Sequence, residues 1–259
     1  MSNHYIITGG ATGIGFAIAK RLIEESNQVS LLARNSERLS KAVSALNAHL
    51  AVPSAASFPC DIRERESIDA AIREAVDHFG PLRAAIANAG IGGPNAPDGS
   101  GFDQHFEDLI QTNLVGTYYT LRAAQRSLVN DQGPRHLIVV SSCLARFGVP
   151  GYTGYCASKA ALLGLTKALA LELADQNIQV NALCPGWVDT EMAREGIQAF
   201  AEDTGQSFEA AKADAMRAVP LGRMSQPSEI AGVVKWMLSE DAAGITGQGI
   251  DINGGSWMG

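Results

Sequence analysis

The sequence predicts a doubly wound α/β fold, in which a mostly parallel seven-stranded sheet is covered by helices on both faces. Two observations lead to this prediction. Seven short apolar runs rich in β-forming residues recur along the chain, and segments with apolar residues spaced by three and four separate them. Runs that are apolar on both faces are typical of parallel strands buried between two layers of helices. The runs are 4–8, 28–33, 55–60, 82–88, 136–141, 178–184 and 247–252.

Length and composition indicate one domain over residues 1–259. Hydrophobic residues make up 46% of the chain, enough for a large core, and no linker, low-complexity tract or repeat interrupts the alternation. Two segments depart from the strand–helix alternation: a turn-rich loop at 91–101 and a mixed-charge helical insertion at about 188–218. Ligands bind beyond the carboxyl ends of the strands in such folds, so the insertion is a candidate substrate lid. The alternative is a pair of surface helices without such a role.

Charge and composition argue against several classes of protein. The net charge of -7 provides no positive field for nucleic acid or an anionic membrane, and no apolar run is long enough to span a bilayer. The five histidines are scattered without the spacing of metal ligands, so we expect no metal. The four cysteines form no disulfide framework and the N-terminus lacks signal-peptide features, so we expect a cytoplasmic protein.

A glycine-rich turn follows the first predicted strand and precedes a helix-like segment. Its spacing is G-x-x-x-G-x-G within TGGATGIG at 8–15. Glycine lets the backbone approach a pyrophosphate closely, and the helix N-terminus supplies N–H donors and the positive end of a dipole. A glycine turn in this position therefore predicts a Rossmann-type dinucleotide site. The expected contacts are Gly9, Thr12, Gly13, Ile14 and Gly15.

The end of the second predicted strand indicates which dinucleotide binds. An acidic residue there would hold the ribose 2′-hydroxyl, but the strand ends in Leu-Ala-Arg-Asn, and Arg34 suits a 2′-phosphate. NADP(H) is thus favoured, with NAD(H) possible and a solvated surface role for Arg34 as the alternative. Asp61 and Ile62 close the third strand and are expected to meet the adenine. Asp61 could equally cap the helix that starts near Glu64.

Tyr155 and Lys159 form the candidate proton-transfer pair. They lie four residues apart in a helix-compatible segment, so they share one face. A free tyrosine, with a pKa of about 10, is a poor partner at neutral pH, and an adjacent ammonium would lower that pKa. The pair is suggestive only when taken alone. Its context is stronger, because the fifth predicted strand delivers Ser142 to the carboxyl edge of the sheet, where it could hold a substrate oxygen.

Further segments converge on the same edge of the predicted sheet. The fourth strand ends in Asn88, Ala89 and Gly90, and Asn113 lies in the helix-like segment that follows. After the sixth strand comes a Pro-Gly turn that could meet a nicotinamide ring. Its candidate contacts are Pro185, Gly186, Val188 and Thr190.

These motifs, in this order, resemble the short-chain dehydrogenase/reductase family over essentially the whole chain. The family pattern T-G-x-x-x-G-x-G falls on Thr8, Gly9, Gly13 and Gly15, and N-A-G falls on 88–90. The resemblance implies a catalytic tetrad, in which Lys159 also binds the nicotinamide ribose and Asn113 holds a water in a proton relay. It also implies a homotetramer or homodimer. The tetrad falls on Asn113, Ser142, Tyr155 and Lys159.

The resemblance implies an NADP(H)-dependent oxidoreductase that moves a hydride between the nicotinamide and a ketone or secondary alcohol. The segments CPGWVDTEMA and PLGRMSQPSEIA are similar to 3-oxoacyl and polyketide ketoreductases. Two alternatives stay open: an NAD(H)-linked dehydrogenase of a cyclic or hydroxy-acid alcohol, and a non-catalytic nucleotide-sensing regulator. Between 191 and 217 the lid has six acidic and three basic residues, which disfavours an anionic carrier. Candidate substrate residues are Ser142, Leu144, Phe147, Tyr152 and Trp187, with Val149 and Met192 nearby.

Overall fold

The computed structural model describes residues 2–95 and 102–259. Seven strands form one sheet in the order β3-β2-β1-β4-β5-β6-β7, and every pair is parallel. Because β1 lies between β2 and β4, the winding direction reverses there, and ligands bind at such a switch point in this class of sheet. The strands are β1 His4–Thr8, β2 Gln28–Ala33, β3 Ala55–Pro59, β4 Ala84–Ala87, β5 Arg135–Val140, β6 Ile178–Pro185 and β7 Gly249–Ile252.

Helices cover both faces of this sheet. The helices that enter the argument are α1 Gly13–Glu24, α2 Ser36–Asn47, α3 Arg65–Phe79, α4 Phe102–Leu109, α5 Thr117–Gln125, α6 Thr153–Leu173, α7 Glu191–Thr204, α8 Phe208–Arg217 and α9 Pro227–Met237. A π-helical turn, Ile110–Gly116, joins α4 to α5. In the described ranges, none of the helices combines the length and the apolar character that a bilayer crossing needs.

The buried side chains divide into two cores, one on each face of the sheet. Successive residues of a strand point to opposite faces, and β1 shows this directly. Ile6 belongs to the core under α3, α5 and α6, whereas Tyr5 and Ile7 belong to the core under α1, α2 and α9. The apolar runs that predicted the strands are therefore apolar on both sides because both sides are covered.

The predicted fold class is confirmed, and the differences lie at the ends of elements. The fourth run, predicted at 82–88, shortens to Ala84–Ala87, and the seventh starts two residues later, at Gly249. Of the predicted loop at 91–101, residues 91–95 have no regular structure, and 96–101 lie outside the described residues.

The insertion predicted at 188–218 contains α7 and α8. Its first residue, Val188, belongs instead to the core on one face of the sheet. Val188 is buried and forms a bridge with Ser225. The two helices enclose a small core of their own, formed by Ile197, Ala201, Ala211, Met216, Val219 and Met224. The insertion is thus a separately packed helical pair beyond the end of β6.

Candidate active site

The glycine turn between β1 and α1 is packed too closely for side chains. A Cβ added to Gly15 would lie 2.4 Å from the Gly9 carbonyl oxygen and 2.7 Å from the Asn88 amide nitrogen. Gly9 and Gly13 have φ of +65° and +54°, which other residues rarely adopt. The side chain of Thr12, which precedes α1, makes no capping hydrogen bond, so it leaves the first helical N–H groups to a ligand. This cradle fits a pyrophosphate.

The N-A-G segment after β4 is fastened to this turn. The Asn88 side-chain amide donates to the carbonyl oxygens of Thr8 and Gly9, at 3.0 and 3.2 Å. In return, the Thr8 hydroxyl accepts from the backbone N–H groups of Asn88 and Ala89, both at 3.1 Å. Asn88 therefore stabilises the conformation of the glycine turn through side-chain hydrogen bonds. The N-A-G motif alone did not predict these contacts.

At the end of β2 the structure places Arg34 in solvent, next to Asn35, whose side chain caps α2 by accepting from the backbone N–H of Arg38. The Arg38 guanidinium contacts the carboxylate of Glu191, the first residue of α7. Sequence reasoning missed Arg38. Its place in the first turn of α2, close in sequence to Arg34, could have indicated a second cation near the end of β2.

Asp61 and Ile62 were expected to meet the adenine, with helix capping as the alternative for Asp61. The structure contradicts the capping alternative, because α3 begins at Arg65 with Glu64 at its N-cap position. The Asp61 carboxylate instead accepts from the Arg63 guanidinium, at 2.6 Å for the shortest contact, and this contact lowers its pKa. The Ile62 side chain is buried in the core against Gly116.

Ser142, Tyr155 and Lys159 meet where β5 ends and α6 begins. The Lys159 ammonium donates to the Val140 carbonyl oxygen at 3.0 Å and lies 5.7 Å from the centre of the Tyr155 ring. The Ser141 hydroxyl donates to the Lys159 carbonyl oxygen at 2.8 Å, which ties the helix to the strand. The helical spacing and the strand end predicted this cluster, and the structure brings its members together.

The electrostatics of the pair differ from the sequence-based expectation. Burial raises the pKa of Tyr155 to about 12, partly offset by hydrogen bonding with the Ser142 hydroxyl. Burial also lowers the pKa of Lys159 to about 8. The pKa of Tyr155 is thus shifted in the direction opposite to the one expected, because the effect of burial on the phenol is the largest contribution.

Asn113 lies in the π-helical turn and is fully buried. Its side-chain oxygen accepts from the Ile91 N–H at 2.8 Å, and its amide nitrogen donates to the Ile91 carbonyl oxygen and to the Ser158 hydroxyl. A Cβ on Gly90 would lie 3.0 Å from the Asn113 oxygen and 3.4 Å from the Lys159 nitrogen. The asparagine side chain therefore holds the loop after β4 against α6.

The Pro-Gly turn after β6 packs against the C-terminal segment. The Gly186 N–H donates to the Ile252 carbonyl oxygen at 3.0 Å, and a Cβ on Gly186 would lie 2.9 Å from the Asn253 α-carbon. Thr190 caps α7 by accepting from the Ala193 N–H, and its methyl group would lie 3.2 Å from a Cβ on Gly13. The segment after β6 thus brings the start of α7 next to the glycine turn.

The predicted substrate residues separate into two groups. The backbone N–H of Leu144 donates to the Ser142 hydroxyl, and Tyr152 lies at the N-cap of α6, three residues before Tyr155. The indole of Trp187, by contrast, packs against the small core formed with α7 and α8. Phe147 lies between Leu144 and Tyr152 in the chain, and its carbonyl oxygen faces the Cys156 thiol.

Met192, the second residue of α7, lies close to Tyr155. A Cβ on Gly92 would lie 3.4 Å from the Met192 sulfur and 3.7 Å from a ring carbon of Tyr155. The loop after β4, the start of α7 and Tyr155 therefore meet at one point.

The fold and this cluster together define a dinucleotide-dependent oxidoreductase. The family described as "Enoyl-(Acyl carrier protein) reductase" matches residues 9–256. The chain belongs to the short-chain dehydrogenase/reductase family.

Two curated relatives and one solved structure are similar over nearly the full length. A putative ketoacyl reductase of Streptomyces coelicolor is 34% identical over 96% of this chain and 95% of its own. The 3-oxoacyl-[acyl-carrier-protein] reductase MabA of Mycobacterium bovis is 31% identical over 100% and 94%. The crystal structure of a single-residue variant of actinorhodin polyketide ketoreductase with NADPH has a TM-score of 0.92 at 33% identity, covering 98% of this chain and 97% of that one.

Proposed function

We propose that the protein is an NADP(H)-dependent ketoreductase. The observation that carries the proposal is the convergence of Ser142, Tyr155 and Lys159 at the carboxyl edge of the sheet, on the same edge as the glycine turn. The relatives named above are ketoacyl and polyketide ketoreductases, one of them determined with NADPH. A purely structural role would not require these three side chains together.

The glycine turn and the elements around it would hold the dinucleotide. The turn at 9–15 would receive the pyrophosphate at the start of α1, and Arg34 would face the 2′-phosphate. Lys159 would bind the nicotinamide ribose, and the backbone of Asp61 and Ile62 would border the adenine. When bound, the dinucleotide supplies the hydride that reduces the carbonyl carbon. The segments 88–90 and 185–190 would border the nicotinamide.

Each residue of the cluster would have a distinct role in the reduction. The Ser142 hydroxyl would donate a hydrogen bond to the substrate oxygen and orient it. Tyr155 would then give its phenolic proton to that oxygen as negative charge develops there. Lys159, whose ammonium lies beside the ring, would stabilise the phenolate that remains. Asn113 would keep the loop after β4 in place through its contacts with Ile91 and Ser158.

At neutral pH the cluster holds the proton donor that carbonyl reduction needs. The pKa of Tyr155, raised to about 12, keeps the phenol protonated at neutral pH. A protonated phenol is a proton donor, whereas alcohol oxidation would need the phenolate as base. A preference for NADP(H) would also favour reduction in the cell, because cells commonly keep that cofactor pool reduced.

The substrate class follows from the relatives and from the charge of the lid. Ketoacyl and polyketide reductases among the relatives favour a 3-oxoacyl or polyketide-like ketone. A second candidate is an uncharged cyclic ketone or its alcohol, because the lid has a net charge of -3 between 191 and 217 and would repel an anionic carrier.

The test is an NADPH-oxidation screen with 3-oxoacyl thioesters, free β-keto esters, cyclic ketones, diketones and sugars, repeated with NADH. We expect turnover of a ketone with NADPH, and the ranking of thioesters against uncharged ketones separates the two substrate classes. Tight NADPH binding without turnover of any compound would contradict the proposal and favour a nucleotide-sensing regulator.

Assembly and location complete the proposal. Large apolar side chains on α5 and α6 are exposed, with Leu171 84% and Tyr118 39% accessible, which supports a homotetramer or homodimer. The four cysteines are free thiols, three of them buried, which supports work in the reducing cytoplasm. Sedimentation velocity of the wild type and of Leu171→Glu would test the assembly, because a buried charge should shift the protein toward monomer.

A further inference from the structure

The helix that carries Tyr155 begins without a capping side chain of its own. Tyr152 is at the N-cap position of α6, and its side chain makes no capping hydrogen bond. The first N–H groups of a helix have no partner within the helix and need one from elsewhere. Tyr155 lies in this first turn, so whatever satisfies these groups also sets the position of its phenol.

Asn95 supplies the missing acceptor from a distant part of the chain. Its side-chain oxygen accepts from the Gly154 N–H at 2.9 Å and from the Thr153 hydroxyl at 3.3 Å. Its own N–H donates to the Gly151 carbonyl oxygen at 2.6 Å. The side chain is 2% exposed, so these hydrogen bonds are shielded from water.

The packing around Gly154 leaves little room for the turn to move. A Cβ added there would lie 3.0 Å from side-chain carbons of Leu109 and Phe106, and 3.3 Å from the Asn95 oxygen. The amide orientation is also determined, because the Gly154 N–H can only donate and must face the oxygen. The Asn95 amide nitrogen is buried and has no hydrogen-bond partner among the residues described. The oxygen is therefore the atom through which Asn95 stabilises the helix.

We propose that Asn95 is a positioning residue for proton transfer, acting through the first turn of α6 on Tyr155. The inference rests on the ketoreductase function proposed above. Asn95 lies on the same loop as Ile91, which Asn113 holds, and as Gly92, which faces the Tyr155 ring. The loop therefore fixes the position of Tyr155 relative to the rest of the site. Asn95 is the residue through which the loop contacts the start of α6.

The test compares two variants of Asn95 with a matched control. Asn95→Ala removes the acceptor, and Asn95→Asp keeps an oxygen acceptor at a helix N-terminus, where negative charge is favoured. Asn47 provides the control, because its side-chain oxygen likewise accepts two hydrogen bonds, from the N–H groups of Ser54 and Ala55 at the start of β3. Asn47→Ala should lower Tm without changing catalysis.

For Asn95→Ala we expect kcat to fall by about ten-fold or more, because small displacements of a catalytic group are costly. The KM for the ketone and the Kd for NADPH should stay within about two-fold, and Asn95→Asp should recover most of kcat. Amide hydrogen exchange in the segment 152–156 should accelerate by about ten-fold in the alanine variant, as expected for a lost helix cap.

The outcomes separate this inference from the proposed function. Unchanged kcat with a lowered Tm, as for Asn47→Ala, would make Asn95 a purely structural residue and overturn the inference. Equal impairment of the alanine and aspartate variants would also overturn it, because the oxygen acceptor would then not matter. If the wild type reduces no ketone, the proposed function fails, and hydrogen exchange alone decides whether Asn95 holds the first turn of α6.

Discussion

The Arg38 guanidinium and the Glu191 carboxylate connect α2 to the first residue of α7. Their nitrogen–oxygen distances are 3.0 and 3.4 Å, and the two side chains are 55% and 57% exposed. An exposed ion pair of this kind stabilises a protein by only about 0–1 kcal/mol. It can therefore open at little cost when a stronger anion, such as a 2′-phosphate near Arg34, competes for the guanidinium.

The substitution Glu191→Gln should tighten NADPH binding. It removes a carboxylate that would compete for Arg38 with a 2′-phosphate bound beside Arg34, so the Kd for NADPH should fall by about two- to five-fold at low salt, and less at high salt. The Kd for NADH, which lacks that phosphate, should not change. Fluorescence titration of both dinucleotides at two ionic strengths measures this. An equal change for both would mean that Glu191 acts on the lid and not on the phosphate.

Arg34→Asp should move the cofactor preference toward NAD(H). Arg34 is exposed at the end of β2 and forms no ion pair with the residues that the structure describes, so it is available to a phosphate. A charge-assisted hydrogen bond contributes about 1.5–3 kcal/mol, so the ratio of kcat/KM for NADPH over NADH should fall by about ten- to a hundred-fold. The same substitution at exposed Arg73 in α3 is the control. An unchanged ratio would count against the phosphate contact.

Tyr155→Phe should abolish turnover while cofactor binding persists. The substitution removes only the phenolic hydroxyl, and general acid catalysis typically contributes about 10²–10⁴-fold to a rate. The Kd for NADPH should stay within about two-fold, because the ring and Lys159 remain. Stopped-flow kinetics and a binding titration give the two quantities. Tyr119→Phe, on α5, should retain activity, and an active Tyr155→Phe would rule out the tyrosine as proton donor.

The pH dependence of ketone reduction should report on Lys159. Its pKa, lowered to about 8, means that the ammonium is present at neutral pH and lost as the pH rises through that value. Tyr155 stays protonated over the same range, since its pKa is raised to about 12. The kcat/KM for reduction should therefore decline above about pH 8, because the developing phenolate loses its neighbouring charge.

Lys159→Arg separates this explanation from others. A guanidinium remains charged at any pH that the protein tolerates, so the decline near pH 8 should disappear even if the overall rate is lower. If the variant keeps the same decline, another group controls it.

The parts of the site that the sequence predicts are those set by short-range geometry. Tyr155 and Lys159 share a helix face because they are four residues apart, and Ser142 follows directly from the end of β5. The strands can be predicted from the sequence for a related reason. A run that is apolar on both faces is typical of a parallel strand covered by helices on both sides.

The contacts that the sequence does not reveal join residues that are far apart in the chain. Asn95 caps a helix that starts 58 residues later, by the separation of its contact with Thr153, and Glu191 meets Arg38 across 153 residues. No local pattern marks either residue. The direction of the Tyr155 pKa is hidden for a similar reason, because burial depends on how every neighbouring element packs.

Acid should destabilise the fold through His4 and His136, which are buried at the starts of β1 and β5. Burial lowers the pKa of both to about 4, against an ordinary value of 6.5. The unfolded chain therefore binds more protons between these values, and stability is lost as the pH falls from about 6.5 toward 4. Urea unfolding at pH 5 should give a free energy about 2–4 kcal/mol lower than at pH 7. His136→Gln should weaken this pH dependence, whereas His49→Gln, at an exposed position after α2, should leave it unchanged; equal slopes for the two variants would exclude His136 as a cause.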